Sequence, residues 1–157
     1  MPRITVTQVT TAEELDVAMA VWAAADRTRP RPSGPERTAR VRGKVAEGER
    51  VLLAHYGDLP AGMALAETFD DGVRRRPDTG HIATVAVDPA RWGSRIGTTL
   101  VRGLQDRWPR LSVWIHPGHR RARRLFAATG FTETGQVTEL QDGGQLAQLL
   151  WERNPDE

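Results

Sequence analysis

The sequence contains no cysteine. That removes disulfides, thiolate metal sites and a cysteine nucleophile together, and leaves the redox compartment undetermined. It is almost without lysine: of 22 basic residues only Lys44 is not arginine. Arginine does not titrate near pH 10, so an isoelectric point of about 9.9 overstates a net charge of only +2. A nucleic-acid-binding protein is the reading from another class that this basicity suggests. It needs a concentrated basic face, and the composition shows no such excess. No apolar run approaches the ~20 residues that span a bilayer. The start, Met1-Pro2-Arg3-Ile4, lacks the apolar stretch and cleavage pattern of a signal peptide. A cytoplasmic protein without a membrane partner is expected. The four histidines are scattered, with neither Cys nor Glu-x-x-His spacing, so no metal site is expected.

What is present is the composition of an ordinary globular chain, 39% hydrophobic and 27% charged over 157 residues. One domain over 1–157 is expected, with no repeat or linker, and a homodimer is left open. Ile4–Val9 alternates as a first strand. Thr11 and Glu14 form a capping box for a helix to about Arg27. Prolines 30, 32 and 35 then break the chain before a second helix over Glu36–Glu47. Val51–Tyr56 and Ala61–Glu67 read as strands, Asp70–Asp78 as a polar loop, and His81–Val87 as the next strand. A helix over Ile96–Arg107 carries Ile96, Leu100, Leu104 and Trp108 at i, i+4 spacing. Leu111–His116 is a strand and His119–Thr129 a helix closed by Gly130. Phe131–Leu140 and Gln145–Arg153 are strands flanking a turn at Asp142-Gly143-Gly144.

Most of the chemistry lies in Val85-Ala86-Val87-Asp88-Pro89-Ala90-Arg91-Trp92-Gly93-Ser94-Arg95-Ile96-Gly97-Thr98. A strand runs through a glycine-containing loop straight into an amphipathic helix. The first amides of a helix have no internal acceptor and sit at the positive end of its dipole, where a pyrophosphate binds well. Gly93 and Gly97 allow close backbone approach, while Ser94 and Thr98 offer hydroxyl donors. A tight turn without a ligand is the plain alternative for this stretch alone.

Ile82–Pro89 followed by Trp92-Gly93-Ser94-Arg95-Ile96-Gly97 resembles the strand and loop of the GNAT acetyltransferase superfamily. Two positions depart: Trp92 stands where that family usually has Arg or Gln, and Arg95 where it usually has the middle Gly. Leu111–His116 with His119–Phe131 resembles the family's later strand and helix, with His119 in place of a frequent Asn and Phe126 in place of a frequent Tyr. The resemblance covers nearly the whole chain. It implies an α/β (α+β) fold with a mixed, mostly antiparallel sheet of about seven strands flanked by about four helices. It also implies acetyl-coenzyme A as co-substrate and direct transfer to an amine acceptor. The fourth and fifth strands would splay at a bulge, and pantetheine would pair with the backbone of Val85, Ala86 and Val87. The cofactor-binding set expected is Val85, Ala86, Val87, Trp92, Gly93, Ser94, Arg95, Ile96, Gly97, Thr98 and His119.

An ammonium acceptor must lose a proton before it attacks, and a base titrating near neutrality suits that task. His81 is the leading candidate, since it occupies a fourth-strand position where several family members carry a catalytic glutamate; Glu67 is the reserve. A strand-end histidine and an exposed carboxylate are their plain alternatives. Phe126 cannot protonate the leaving thiolate, which leaves water or His119. A coenzyme A-binding module that has lost activity is therefore the alternative function. Trp108 and Trp114 read as core, and Trp22 as core or a pocket wall. Arginines between 27 and 42 leave an acidic acceptor open.

Overall fold

The computed structural model describes residues 3–30, 32–140 and 143–154. Met1, Pro2, Arg31 and the Asp142 of the expected turn lie outside the described residues. The elements are β1 (Ile4–Gln8), α1 (Ala12–Asp26), α2 (Pro35–Glu47), β2 (Arg50–Tyr56), β3 (Leu59–Asp70), β4 (Arg75–Val87), α3 (Ile96–Gln105), β5 (Arg110–Ile115), α4 (Arg120–Ala128), β6 (Thr132–Glu139) and β7 (Gln145–Glu152). A short 3-10 turn, Pro89–Arg91, precedes α3. The strands form one sheet in the order β1-β2-β3-β4-β5-β7-β6. Only β4 and β5 run parallel among these pairs.

Continuous apolar runs in β2 and β3 reflect burial on both faces. Leu52, Ala54, Ala64 and Ala66 turn toward Ile96, Leu100, Leu104 and Trp108 on one side. Val51, Leu53, Met63 and Leu65 turn toward Ala18, Met19 and Trp22 of α1 and Val45 of α2 on the other. Trp22 is thus a core residue of the α1–α2 layer. The capping box is formed: Thr11 Oγ1 accepts from Glu14 N, and Glu14 Oε1 from Thr11 N, each at 3.1 Å. No described helix is long and apolar enough to cross a membrane.

The expected loop over Asp70–Asp78 shrinks to four residues, because β3 runs on to Asp70 and β4 already begins at Arg75. This end of the hairpin is exposed on both faces and carries no apolar alternation by which to recognise a strand. Pairing passes from Thr68↔Gly80 to Phe69↔Arg76, so Pro77 falls in an irregularity where its missing N–H costs no ladder bond.

A second irregularity shapes the molecule. Leu65 pairs with Thr84 and Ala66 with Ile82, leaving Ala83 as a bulge in β4. Parallel pairing with β5 covers only Thr79–Ile82 against Arg110–Val113. A bulge bends its strand and increases its twist. β4 and β5 therefore part at Ala83, and the rest of β4 runs on with one edge open.

Candidate active site

Asp88 N donates to Ala61 O at 2.8 Å, opposite it in the β3–β4 ladder. In an antiparallel pair, residues bonded to the partner alternate with residues whose polar groups face away. Asp88, Ala86 and Thr84 are therefore bonded to β3, while Val87 and Val85 present N–H and C=O to the gap beside β5. Of the three residues expected to pair with a ligand, Val85 and Val87 have the free edge. Ala86 does not: its backbone is committed to Met63, and its side chain packs in the α1–α2 layer. Trp92 Nε1 already donates to Val87 O at 3.1 Å, which holds the loop against this edge.

The loop ends at a strained residue. Gly93 has φ +86°, which glycine adopts freely, but Arg95, the cap of α3, has φ +65° and ψ +17°. It is the one non-glycine with positive φ among the described residues. Behind it the amides of Ile96, Gly97 and Thr98 meet no acceptor among the described residues. Three adjacent donors thus sit unpaired at a helix start, next in the chain to the exposed Arg95. Ile96 contributes only its amide, since its side chain is core. Ser94 and Thr98 hydroxyls have no partner among the described residues and lie on the same turn. Gly97 has a packing reason: a Cβ there would meet Leu125 of α4 at 3.3 Å. Arg121 of α4 lies over the Trp92 ring at 3.3 Å and ties the two helix starts together.

His119 has a structural task. It caps α4, its Nδ1 accepting from Ala122 N at 3.1 Å. Burial, then the nearby Arg121, holds its pKa below the ordinary value. A ring whose Nδ1 accepts carries its proton on Nε2, and the lowered pKa disfavours the imidazolium form that would serve as an acid. Phe126 is buried, edge-on to Phe131 at 5.0 Å.

On the α1–α2 face, at the point where β4 and β5 part, lies a cleft of about 570 Å³. His81 lines it, opposite Glu67 on β3 and Ser112 on β5. Its Nδ1 is 3.0 Å from Ser112 Oγ, and the Phe69 ring stands edge-on at 6.4 Å. Burial, then repulsion from Lys44, pushes the His81 pKa down, and attraction to Glu67 only partly offsets this. Glu67 is ion-paired to Lys44 at 3.2 Å. Glu49 accepts from Thr68 Oγ1 at 2.7 Å and Thr68 N at 2.9 Å, and these bonds hold its pKa low. Asp70, Asp71, Arg75, Trp114, Gln136 and Gln148 complete the lining. Trp114 is thus a cleft wall rather than core. None of the described arginines between 27 and 42 lines this cleft. A larger depression of about 780 Å³ along the C-terminal half of α3 shares no residue with the loop or the cleft. No three metal-ligating side chains converge among the described residues.

A sequence model described as "Acetyltransferase (GNAT) family" matches residues 17–131, well over half of the chain. The chain belongs to this family. Mycothiol acetyltransferase of Clavibacter michiganensis is 31% identical over 98 residues, 60% of this chain and 29% of the relative. That of Streptosporangium roseum is 31% identical over 91 residues, 57% of this chain and 25% of the relative. The chain thus spans less than a third of the length of these curated relatives. Among solved structures, yncA of Salmonella typhimurium, assigned as an acetyltransferase and solved with its cofactor acetyl-CoA, superposes with a TM-score of 0.69 at 20% identity, covering 97% of this chain and 95% of that one. The ribosomal-protein-S18-alanine N-acetyltransferase of Escherichia coli gives 0.70 at 17% identity, covering 96% and 94%. At such identities these two likenesses speak for the fold, which is that of a GNAT protein throughout the chain.

Ser112, Glu49, Thr68, Phe69, Gln136 and Gln148 are absent from the residues the sequence singles out, and Trp114 is read there only as core. Alternation along β5 places Ser112 opposite in face to Leu111 and Val113, but only the β4–β5 register brings it to His81.

Proposed function

We propose that the protein transfers an acetyl group directly from acetyl-coenzyme A to a primary amine, with His81 as general base. The observation that carries this is the parting of β4 and β5 at Ala83. It frees the Val85 and Val87 edge next to the donor-rich start of α3, and His81, which lines the cleft, stands two residues before the bulge on the same strand. The thioester co-substrate fits the first of these places: pyrophosphate oxygens match the amides of Ile96, Gly97 and Thr98, and amide groups of pantetheine match the free strand edge. The yncA structure, solved with acetyl-CoA, is of the same fold.

The acceptor enters as an ammonium, and the carboxylates of Glu49, Glu67, Asp70 and Asp71 outnumber Arg75 around the cleft. His81 Nε2 takes the proton, the amine nitrogen forms a bond to the thioester carbon, and the carbon–sulfur bond breaks. A free amide of β4 steadies the developing oxyanion. The coenzyme A thiol is acidic enough, by analogy with a cysteine pKa of about 8.5, to leave as thiolate without a side-chain acid, and water carries the second proton of the amine nitrogen to it. A cytoplasmic location belongs to the same reading, since acetyl-coenzyme A is an intracellular metabolite. Phe126 favours a second reading, a module that binds coenzyme A without turnover.

Binding is tested first by heat. A ligand that binds only the native state stabilises it by about 2.7 kcal/mol at 100 times its Kd. Millimolar acetyl-coenzyme A is expected to raise the melting temperature by several degrees. No thermal shift together with no heat in calorimetry would defeat both readings. Binding without amine-dependent thiol release would select the second.

A further inference from the structure

Ser112 is 2% exposed and stands opposite His81 in the short parallel ladder between β4 and β5. Its hydroxyl lies 3.0 Å from His81 Nδ1 and has no other hydrogen-bond partner among the described residues. Leu111 and Val113 on either side pack in the α3 layer. Packing alone gives no reason for a buried hydroxyl in the middle of this strand. We propose that Ser112 is the positioning residue for His81, its hydroxyl holding Nδ1 in both protonation states of the ring and leaving Nε2 to take the acceptor's proton. The inference rests on His81 being the general base.

One hydroxyl serves both states because it donates through its hydrogen and accepts through its lone pairs. With the neutral ring protonated at Nε2, Ser112 donates to Nδ1. With the proton at Nδ1, that N–H donates to Ser112, and Nε2 carries the lone pair a base needs. When Nε2 then takes the ammonium proton, Nδ1–H keeps the same acceptor. Alanine offers neither bond, and a buried N–H without an acceptor is costly. The base-competent tautomer and the imidazolium both lose population in Ser112→Ala.

The charges facing His81 are Lys44 from α2 and Glu67 from β3, paired with each other. Glu49, Asp70, Asp71 and Arg75 line the same cleft, its lining from β5, β6 and β7 is the uncharged Trp114, Gln136 and Gln148, and Ser112 of β5 stands opposite His81 in the ladder. None of these charges is altered in the variant, so a displaced titration reports the hydroxyl contact.

Protein labelled with 15N-histidine contains only four imidazoles, at His55, His81, His116 and His119, and a His81→Gln spectrum assigns the relevant one. In Ser112→Ala the His81 tautomer balance should move toward Nε2–H and its titration toward lower pH. The acidic limb of kcat/KM should move down with it, and plateau kcat should fall about 10- to 100-fold, the factor for a buried donor left unsatisfied. Ser112→Thr keeps the hydroxyl and suits a strand, and should restore all three. If the alanine variant fails to fold, Ser112→Cys, a weaker donor and acceptor of similar size, is read for the same displacements. Unchanged His81 titration and tautomer balance in a folded variant overturns the positioning role. A His81→Ala variant that works at full rate overturns the base reading beneath it.

Discussion

Replacing His81 by alanine is expected to lower kcat about 10²–10⁴-fold, the usual loss when a general base is removed, with little change in affinity for acetyl-coenzyme A. The affinity is spared because the contacts that fit the co-substrate lie on the backbone of Val85, Val87 and the start of α3, beyond the bulge at Ala83. A base must be deprotonated to act, so kcat/KM rises with pH through the pKa of His81. Burial and Lys44 hold that pKa below the ordinary imidazole value, against the pull of Glu67. The limb should therefore have an apparent pKa below about 6.5. Lys44→Met removes the repulsion and should move it upward. An acceptor of low pKa produces a limb of its own, which shifts from one amine to the next while the enzyme's stays fixed. A His81→Ala enzyme with near wild-type kcat and the same limb would assign the proton to Glu67 or to water.

The second large effect is at Arg95. Its left-handed backbone costs an L-residue about 1–2 kcal/mol, which only glycine escapes. Yet Arg95 immediately precedes three free amides and has no ion pair among the described residues. The strain is consistent with a charge held where a pyrophosphate would lie. Arg95→Ala and Arg95→Gly should each weaken coenzyme A by about 1.5–3 kcal/mol, as for a hydrogen bond to a charged group. The two should differ in stability: glycine relieves the strain and raises the melting temperature, whereas alanine keeps it. Pantetheine, which lacks the pyrophosphate, should bind both variants as it binds the wild type. Calorimetry with the two ligands decides the matter. Equal losses for pantetheine and coenzyme A would show a disturbed loop, and no loss for either would leave Arg95 without a role in binding.

Much of this arrangement is legible in the sequence because it rests on local chemistry. Thr11 and Glu14 cap α1, Gly130 takes its positive φ of +95° after α4, and the glycine-bearing loop leads into α3 where the pattern places it. The family's strand-to-loop signature is read from consecutive residues. What is not legible depends on register. Ala83 becomes a bulge only through the pairing of β3 with β4, and that bulge decides which valines have a free edge. His81 and Ser112 are 31 residues apart in the chain and meet only in the β4–β5 ladder. Gly97 is read as room for a phosphate, but Leu125 of α4 fills the space a side chain would need. His119 is read as a cofactor or acid candidate, and only the structure shows that its Nδ1 caps α4. Trp114 reads as core because β5 is apolar, and the open face beyond β4 makes it a wall instead.

Amine-dependent transfer from acetyl-coenzyme A is the reaction expected of this site. It is tested most directly by following thiol release with a panel of primary amines, against the same protein without amine, and by weighing the products. Release should depend on the amine, one acetyl should be added to the amine per thiol freed, and both should be lost in His81→Ala. Release at the same rate without any amine, or saturable binding of acetyl-coenzyme A with no acetylated product across cationic amines, would contradict it.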